Sequence, residues 1–111
     1  SAKDRLFSTE KAVKIQGTCA EEAAQDALAA AVKHLPTWAL ETKSVRIKAF
    51  TPTENSFSNG NITDLRVFNV TVVTGEGRQN DIVANVATIA GKNSSGKCEV
   101  VSTVKNVGIY E

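Results

Sequence analysis

No methionine occurs in the 111 residues, and histidine, tryptophan and tyrosine appear once each, with two prolines and two cysteines. One histidine and two cysteines are too few for the three or four soft ligands a zinc site draws on. No apolar run approaches the roughly 20 residues that a membrane-spanning helix needs. Charge of one sign is scarce as well. Thirteen Lys and Arg against twelve Asp and Glu leave a net +1, and the basic residues are scattered from Lys3 to Lys105. That distribution offers no basic stripe to a nucleic acid. With 41% apolar and 23% charged residues, the chain reads as one globular domain of ordinary size.

The missing methionine, together with Ser1-Ala2 at the start, is compatible with a signal-peptidase product and equally with a tag remnant. Two cysteines in a small domain add to the expectation of a periplasmic or secreted protein. Two buried thiols in a reducing compartment are the alternative. The triplets at Asn61, Asn69 and Asn93 have the glycan-acceptor form. In a chain this rich in Ser and Thr they are read as composition.

Residues 1–10 lack a sustained period and are expected to form a flexible arm, with a single domain over 11–111. From Lys11 to Gln16, Val13 and Ile15 alternate with Lys14 and Gln16, a strand pattern that Gly17 ends. Thr18-Cys19-Ala20-Glu21 has the capping-box form, with Thr18 as the cap. A helix follows to about Leu35, stopped by Pro36. Its apolar stripe is made mostly of small residues, Ala20, Ala23, Ala24, Ala27 and Ala31 with Leu28, Val32 and Leu35, so it can lie close to a sheet. Glu21, Glu22 and Asp26 near its start, and Lys33 and His34 at its end, complement the helix dipole.

After a turn over Leu35–Ala39, strands are expected at Lys43–Thr51, Ile62–Thr74, Ile82–Ala90 and Cys98–Val104. Pro52–Asn61 reads as a polar loop with Asn59-Gly60 as its turn signal, and Lys92–Lys97 as a hairpin connection. The order β-α-β-β-β-β predicts an α+β domain with one helix packed on an antiparallel sheet and an added C-terminal hairpin. Cys19 opens the helix and Cys98 opens the last strand. They meet at one end of the sheet if the first two strands run the same way, and sit at opposite ends if the second is reversed. A disulfide needs Cα atoms within about 7 Å, so pairing favours the first arrangement.

Catalytic constellations are thin. A Ser-His-Asp set would have to use His34, and no nucleophile elbow supports one. Gly75-Glu76-Gly77-Arg78 lacks the Walker spacing and a following helix, so it reads as a hairpin turn. The carboxylate pairs Glu54/Asp64 and Glu76/Asp81 fall in or beside polar loops. Cys19 at a helix start would be an activated thiol if reduced; the structural disulfide is preferred. The chain is expected not to be an enzyme but to act as a binding or interaction protein, on a protein partner or on itself.

Three elements in residues 11–75 resemble dodecins, small flavin-binding proteins of strand–helix–strand–strand topology. They are Val13-Lys14-Ile15-Gln16-Gly17-Thr18, the Ala27-Leu28 helix followed by Trp38, and Phe68-Asn69-Val70-Thr71-Val72. The resemblance implies a dodecin-like core. It also implies an alternative function, binding and storage of a flavin or other aromatic small molecule. Trp38 would stack on the ring, Asn69 would stand where the family's glutamine bonds to it, and the assembly would be a hollow dodecamer. Residues 76–111 have no counterpart in the short family members. The helix-on-meander layout also resembles cystatins, but their Gln-Val-Val-Ala-Gly loop is missing.

Overall fold

A computed structural model of the chain describes residues 18–53, 55–76 and 78–109. The expected arm over residues 1–10 and the expected strand Lys11–Gln16 lie outside the described residues. The elements are α1 (Ala20–Val32), α2 (Thr37–Thr42), β1 (Val45–Pro52), β2 (Phe57–Asn59), β3 (Ile62–Thr74), β4 (Ile82–Lys92) and β5 (Cys98–Ile109). The α+β class and the antiparallel sheet are as expected. Among the described residues the sheet has five strands in the order β1-β3-β4-β5, with the short β2 paired to β3.

One face of the sheet carries α1. The alanine stripe packs down fully, with Ala23, Ala24, Ala27, Leu28 and Ala31 completely buried. Small side chains let the helix approach the strands, and the larger groups come from the sheet: Val45, Ile47, Phe50, Phe68, Val70, Val72, Ile82 and Val86. Phe50 and Phe68 stack with ring centroids 5.0 Å apart, within the favoured range for aromatic pairs. The helix lies mainly over β4 and β5.

Several local expectations are corrected. The helix cap is Cys19, not Thr18; Cys19 has φ 63° and makes no side-chain capping bond. Its left-handed backbone costs about 1 kcal/mol outside glycine, and the bond to Cys98 is what holds that residue in place. The regular helix stops at Val32, and two tighter bonds, His34 N to Ala31 O and Leu35 N to Val32 O, finish the turn before Pro36. Leu35–Ala39 is not a simple turn. Pro36, with φ −69°, starts α2, and Thr42 Oγ1 donates to Trp38 O to close it. The polar loop contains β2, whose hairpin turn is Gly60-Asn61 with Asn59 paired to Ile62. Val107 and Ile109 belong to β5 itself.

The Cys19–Cys98 disulfide is formed, with Cα atoms 5.7 Å apart across a separation of 79 residues. It ties the start of α1 to the first residue of β5. Closing a loop of that length contributes about 4.5 kcal/mol in the chain-entropy picture. The β4–β5 connection is organised by Asn93. Its Oδ1 accepts from Ser95 N and Lys97 N, and its Nδ2 donates to Glu99.

Gly91 marks the tightest approach in the sheet. A Cβ there would stand 2.8 Å from Ile62 Cγ2, 2.9 Å from Leu65 Cδ2 and 2.9 Å from the Thr63 carbonyl oxygen. The backbone contact cannot rotate away. Gly91→Ala is therefore expected to destabilise by about 1–3 kcal/mol, while Gly108→Ala, with open space around it, shifts the urea midpoint by less than about 0.5 kcal/mol equivalent. The double change Cys19→Ser with Cys98→Ser is expected to lower stability by several kcal/mol, read in the same urea titration against the oxidised protein.

Candidate functional site: the open face of the sheet

The second face of the sheet carries no helix among the described residues. Alternation along the strands sends Val67, Asn69, Thr71 and Val73 of β3, and Val83, Asn85, Ala87 and Ile89 of β4, to this side. The register stacks them into rows. Val67 pairs with Ile89, and Ile89 with Val101, giving an apolar row across three strands. Ile89 is 41% exposed and Val101 66%. The next row is Thr51, Asn69, Ala87 and Thr103. Beyond it Thr71 Oγ1 donates to Asn85 Oδ1, and Asn85 Nδ2 donates to Asn106 Oδ1, a hydroxyl–amide ladder. Leu65 and Ile62, packed over Gly91, border the apolar row at the disulfide end.

At the opposite end of the sheet, Lys43 bonds to Asp81 at 2.5 Å, and its ammonium lies 5.8 Å from the centre of the Trp38 ring. Asp81 also accepts from Arg78 N. The Lys43 hydrogen bond, followed by that backbone N–H, holds the Asp81 carboxyl below its ordinary value of 3.8, against the opposing effect of burial. Arg46 donates to the carbonyls of Gly75 and Glu76. The β3–β4 connection thus turns carbonyls toward a cation, the reverse of a phosphate cradle. Of the other carboxylates posed in pairs, Asp64 sits exposed within β3 with a left-handed backbone, φ 55°, and Glu54 lies outside the described residues.

Trp38 lies on α2, 53% exposed. Asn69 is exposed on the open face of β3. Thr74, which pairs with Val45 close after α2, is five residues from Asn69 along β3, roughly 17 Å. Trp38 thus stands on α2 and Asn69 on β3. His34 is used locally, its Nδ1 being 3.1 Å from Ala30 O. Among the described residues no group of three His, Cys, Asp or Glu side chains could hold a metal ion, and no helix is long and apolar enough to cross a membrane. No protein-family model matches the sequence, and neither the curated proteins nor the solved structures return a match.

The open face was not singled out from the sequence, yet a signal for it exists. In Ile62–Thr74 and Ile82–Lys92 apolar residues fall on both parities, Val67 and Val73 beside Phe68, Val70 and Val72, and Ile89 beside Val86 and Ala90. A strand with one wet face alternates more cleanly. The Lys43–Asp81 bond joins residues 38 apart and has no counterpart in any local pattern.

Because the folded Asp81 value is depressed, its contribution is complete above the ordinary 3.8 and is lost as pH falls through the lower folded value. Asp81→Asn is expected to be less stable than wild type at neutral pH. The gap should shrink as pH falls below the ordinary 3.8 and through the lower folded value, read as urea midpoints at a series of pH values. An unchanged gap down to pH 2 would mean that the Lys43 pair does not contribute.

Proposed function

We propose that the protein is a non-enzymatic, exported binding module, periplasmic or secreted, that works through the open face of its sheet and takes a second copy of itself as partner. The observation that carries this is the Val67–Ile89–Val101 row, apolar side chains standing in register on a face with no covering layer among the described residues. Two such faces packed about 10 Å apart would remove both rows from water, as sheets do in sandwiches. The flanking Thr and Asn rows supply polar contacts at the margin, the composition expected around the apolar centre of an interface. The disulfide supports an oxidising compartment. The use of His34 at a helix end, and of Asp81 in an ion pair, supports binding over turnover.

A second reading has its own observation. Trp38 is half exposed with a cation beside its ring, which suits stacking by a planar ligand such as a flavin, in keeping with the dodecin-like resemblance.

Sedimentation over micromolar to millimolar concentrations tests the first reading. A reversible dimer is expected, and Val101→Asp should raise its dissociation constant at least tenfold, about 1.4 kcal/mol, with the monomer fold unchanged by circular dichroism. A monomer throughout that range would remove the self-association reading. Riboflavin titration followed by Trp38 fluorescence tests the second: saturable quenching, lost in Trp38→Leu by a coloured-ligand binding assay, supports it, and no quenching ends it.

A further inference from the structure

Near its start β3 carries one residue more than either neighbour can pair. From Thr63 to Arg66 it takes three steps where β4 takes two, Lys92 to Ala90. From Ile62 to Leu65 it again takes three where β2 takes two, Asn59 to Phe57. Within both stretches lies Asp64, whose backbone is left-handed at φ 55°. Glycine takes that conformation freely, and an aspartate takes it at a cost. Bulges re-aim a side chain and gather beside functional sites. Asp64 opens onto a cavity of about 160 Å³, lined also by Arg66 and Phe68 of β3, by Ser56 just before β2 and by Thr18 ahead of α1. Thr18 is placed there by its neighbour Cys19, which the disulfide ties to Cys98. Arg66 is half-buried, and the buried Phe68 makes the inner wall apolar. Among the described residues no hydrogen bond or ion pair engages the Asp64 carboxylate or the Arg66 guanidinium, and the two do not pair with each other.

We propose that this cavity binds a small zwitterion, a free α-amino acid with a short side chain, whose carboxylate faces Arg66 and whose ammonium faces Asp64. The lining holds one cation and one anion, so a ligand of single charge would leave the other wall group unanswered. A guanidinium offers a carboxylate two parallel N–H donors in a fixed fork. The hydroxyls of Thr18 and Ser56 can each donate or accept, and they complete the polar rim. Phe68 leaves the inner end to an apolar group. Size follows from the volume. Sites that enclose drug-sized ligands run to roughly 300–1,000 Å³, so a cavity of about 160 Å³ takes a molecule of few atoms and excludes a nucleotide or a flavin. The strain at Asp64 is offset by no side-chain contact in the fold, and the ligand ammonium supplies one. Arg66 pairs with the buried Ala90, and Phe68 belongs to the core beneath α1. The site is therefore on the α1 side of the sheet and does not depend on self-association through the open face.

Amide-resolved NMR titration of the oxidised full chain with L-alanine tests this, carried to about 20 mM because so few ligand atoms limit affinity. Saturable shifts are expected at Ser56, Asp64 and Arg66, with Val101 on the open face unmoved. Acetate and methylammonium each carry one of the two charges, and each should bind at least roughly tenfold more weakly than alanine. Arg66→Gln should weaken alanine binding by a similar factor. Asp64→Gly is the sharper variant. It should raise the urea midpoint, because glycine takes φ 55° without strain, and yet lose alanine binding by roughly tenfold or more. A chain that folds more stably cannot have lost the ligand by unfolding, so this variant decides the matter even if Arg66→Gln fails to fold. The absence of any saturable shift with alanine would overturn the proposal. So would acetate binding as tightly as alanine, which would make Arg66 a plain anion site, or Asp64→Gly binding alanine as wild type does.

Discussion

The covalent bond between Cys19 and Cys98 is the constraint from which the rest of the arrangement follows. It joins the first turn of α1 to the first residue of β5, the two elements farthest apart in the described chain that still have to touch. With that point fixed, the helix starts at the end of the sheet where β3 begins and β4 finishes, and it must run over β4 and β5 to return the chain to β1. The left-handed backbone at Cys19 is the local consequence. A residue with no capping bond of its own is kept at the helix start by a bond to another strand. The loop so closed holds nearly the whole packed core, so the same bond limits how far the unfolded chain can spread.

The sheet serves two different environments. On the α1 side the strands present branched and aromatic groups to a helix of alanines, and the short side chains on one partner allow the longer ones on the other to interdigitate. On the open side, apolar and polar rows alternate across the strands, and the apolar row remains in contact with water. Gly91 belongs to this second face. Its missing side chain lets Ile62 and Leu65 fold down beside the row, so the start of β3 is buried outside the main core. The two outer strands among the described residues each carry a lysine at a bulge, Lys48 in β1 and Lys105 in β5. Among the described residues, this interrupts the ladder where an uninterrupted edge would invite unwanted pairing.

Much of the fold was legible because its signals are local. The alanine stripe of α1, the bounds of Ile62–Thr74, the start of Ile82–Lys92 and the Lys92–Lys97 turn can each be read from period, glycine and asparagine within a short window. The misreadings also have physical causes. Thr18-Cys19-Ala20-Glu21 has a capping-box spelling, but a disulfide to a distant strand outweighs a capping bond worth about 1 kcal/mol. Pro36 stops one helix and, with its fixed φ, starts another, so a proline read only as a terminator concealed α2. β2 is three residues long, and its pairing with β3 is all that distinguishes it from loop. The open face was harder still. It is defined by Val67, Ile89 and Val101 standing in register, and register arises between strands.

By itself the sequence determined the class of the domain, the helix and its buried stripe, and most of the described strands. These follow from side-chain period and backbone preference, which act over a few residues. Only the tertiary structure decided that the clasp is closed, that Lys43 reaches Asp81, and that one face of the sheet carries an apolar row with no covering layer among the described residues. Each of these depends on which strands are neighbours and in what register, and that is settled by the packing of the whole chain.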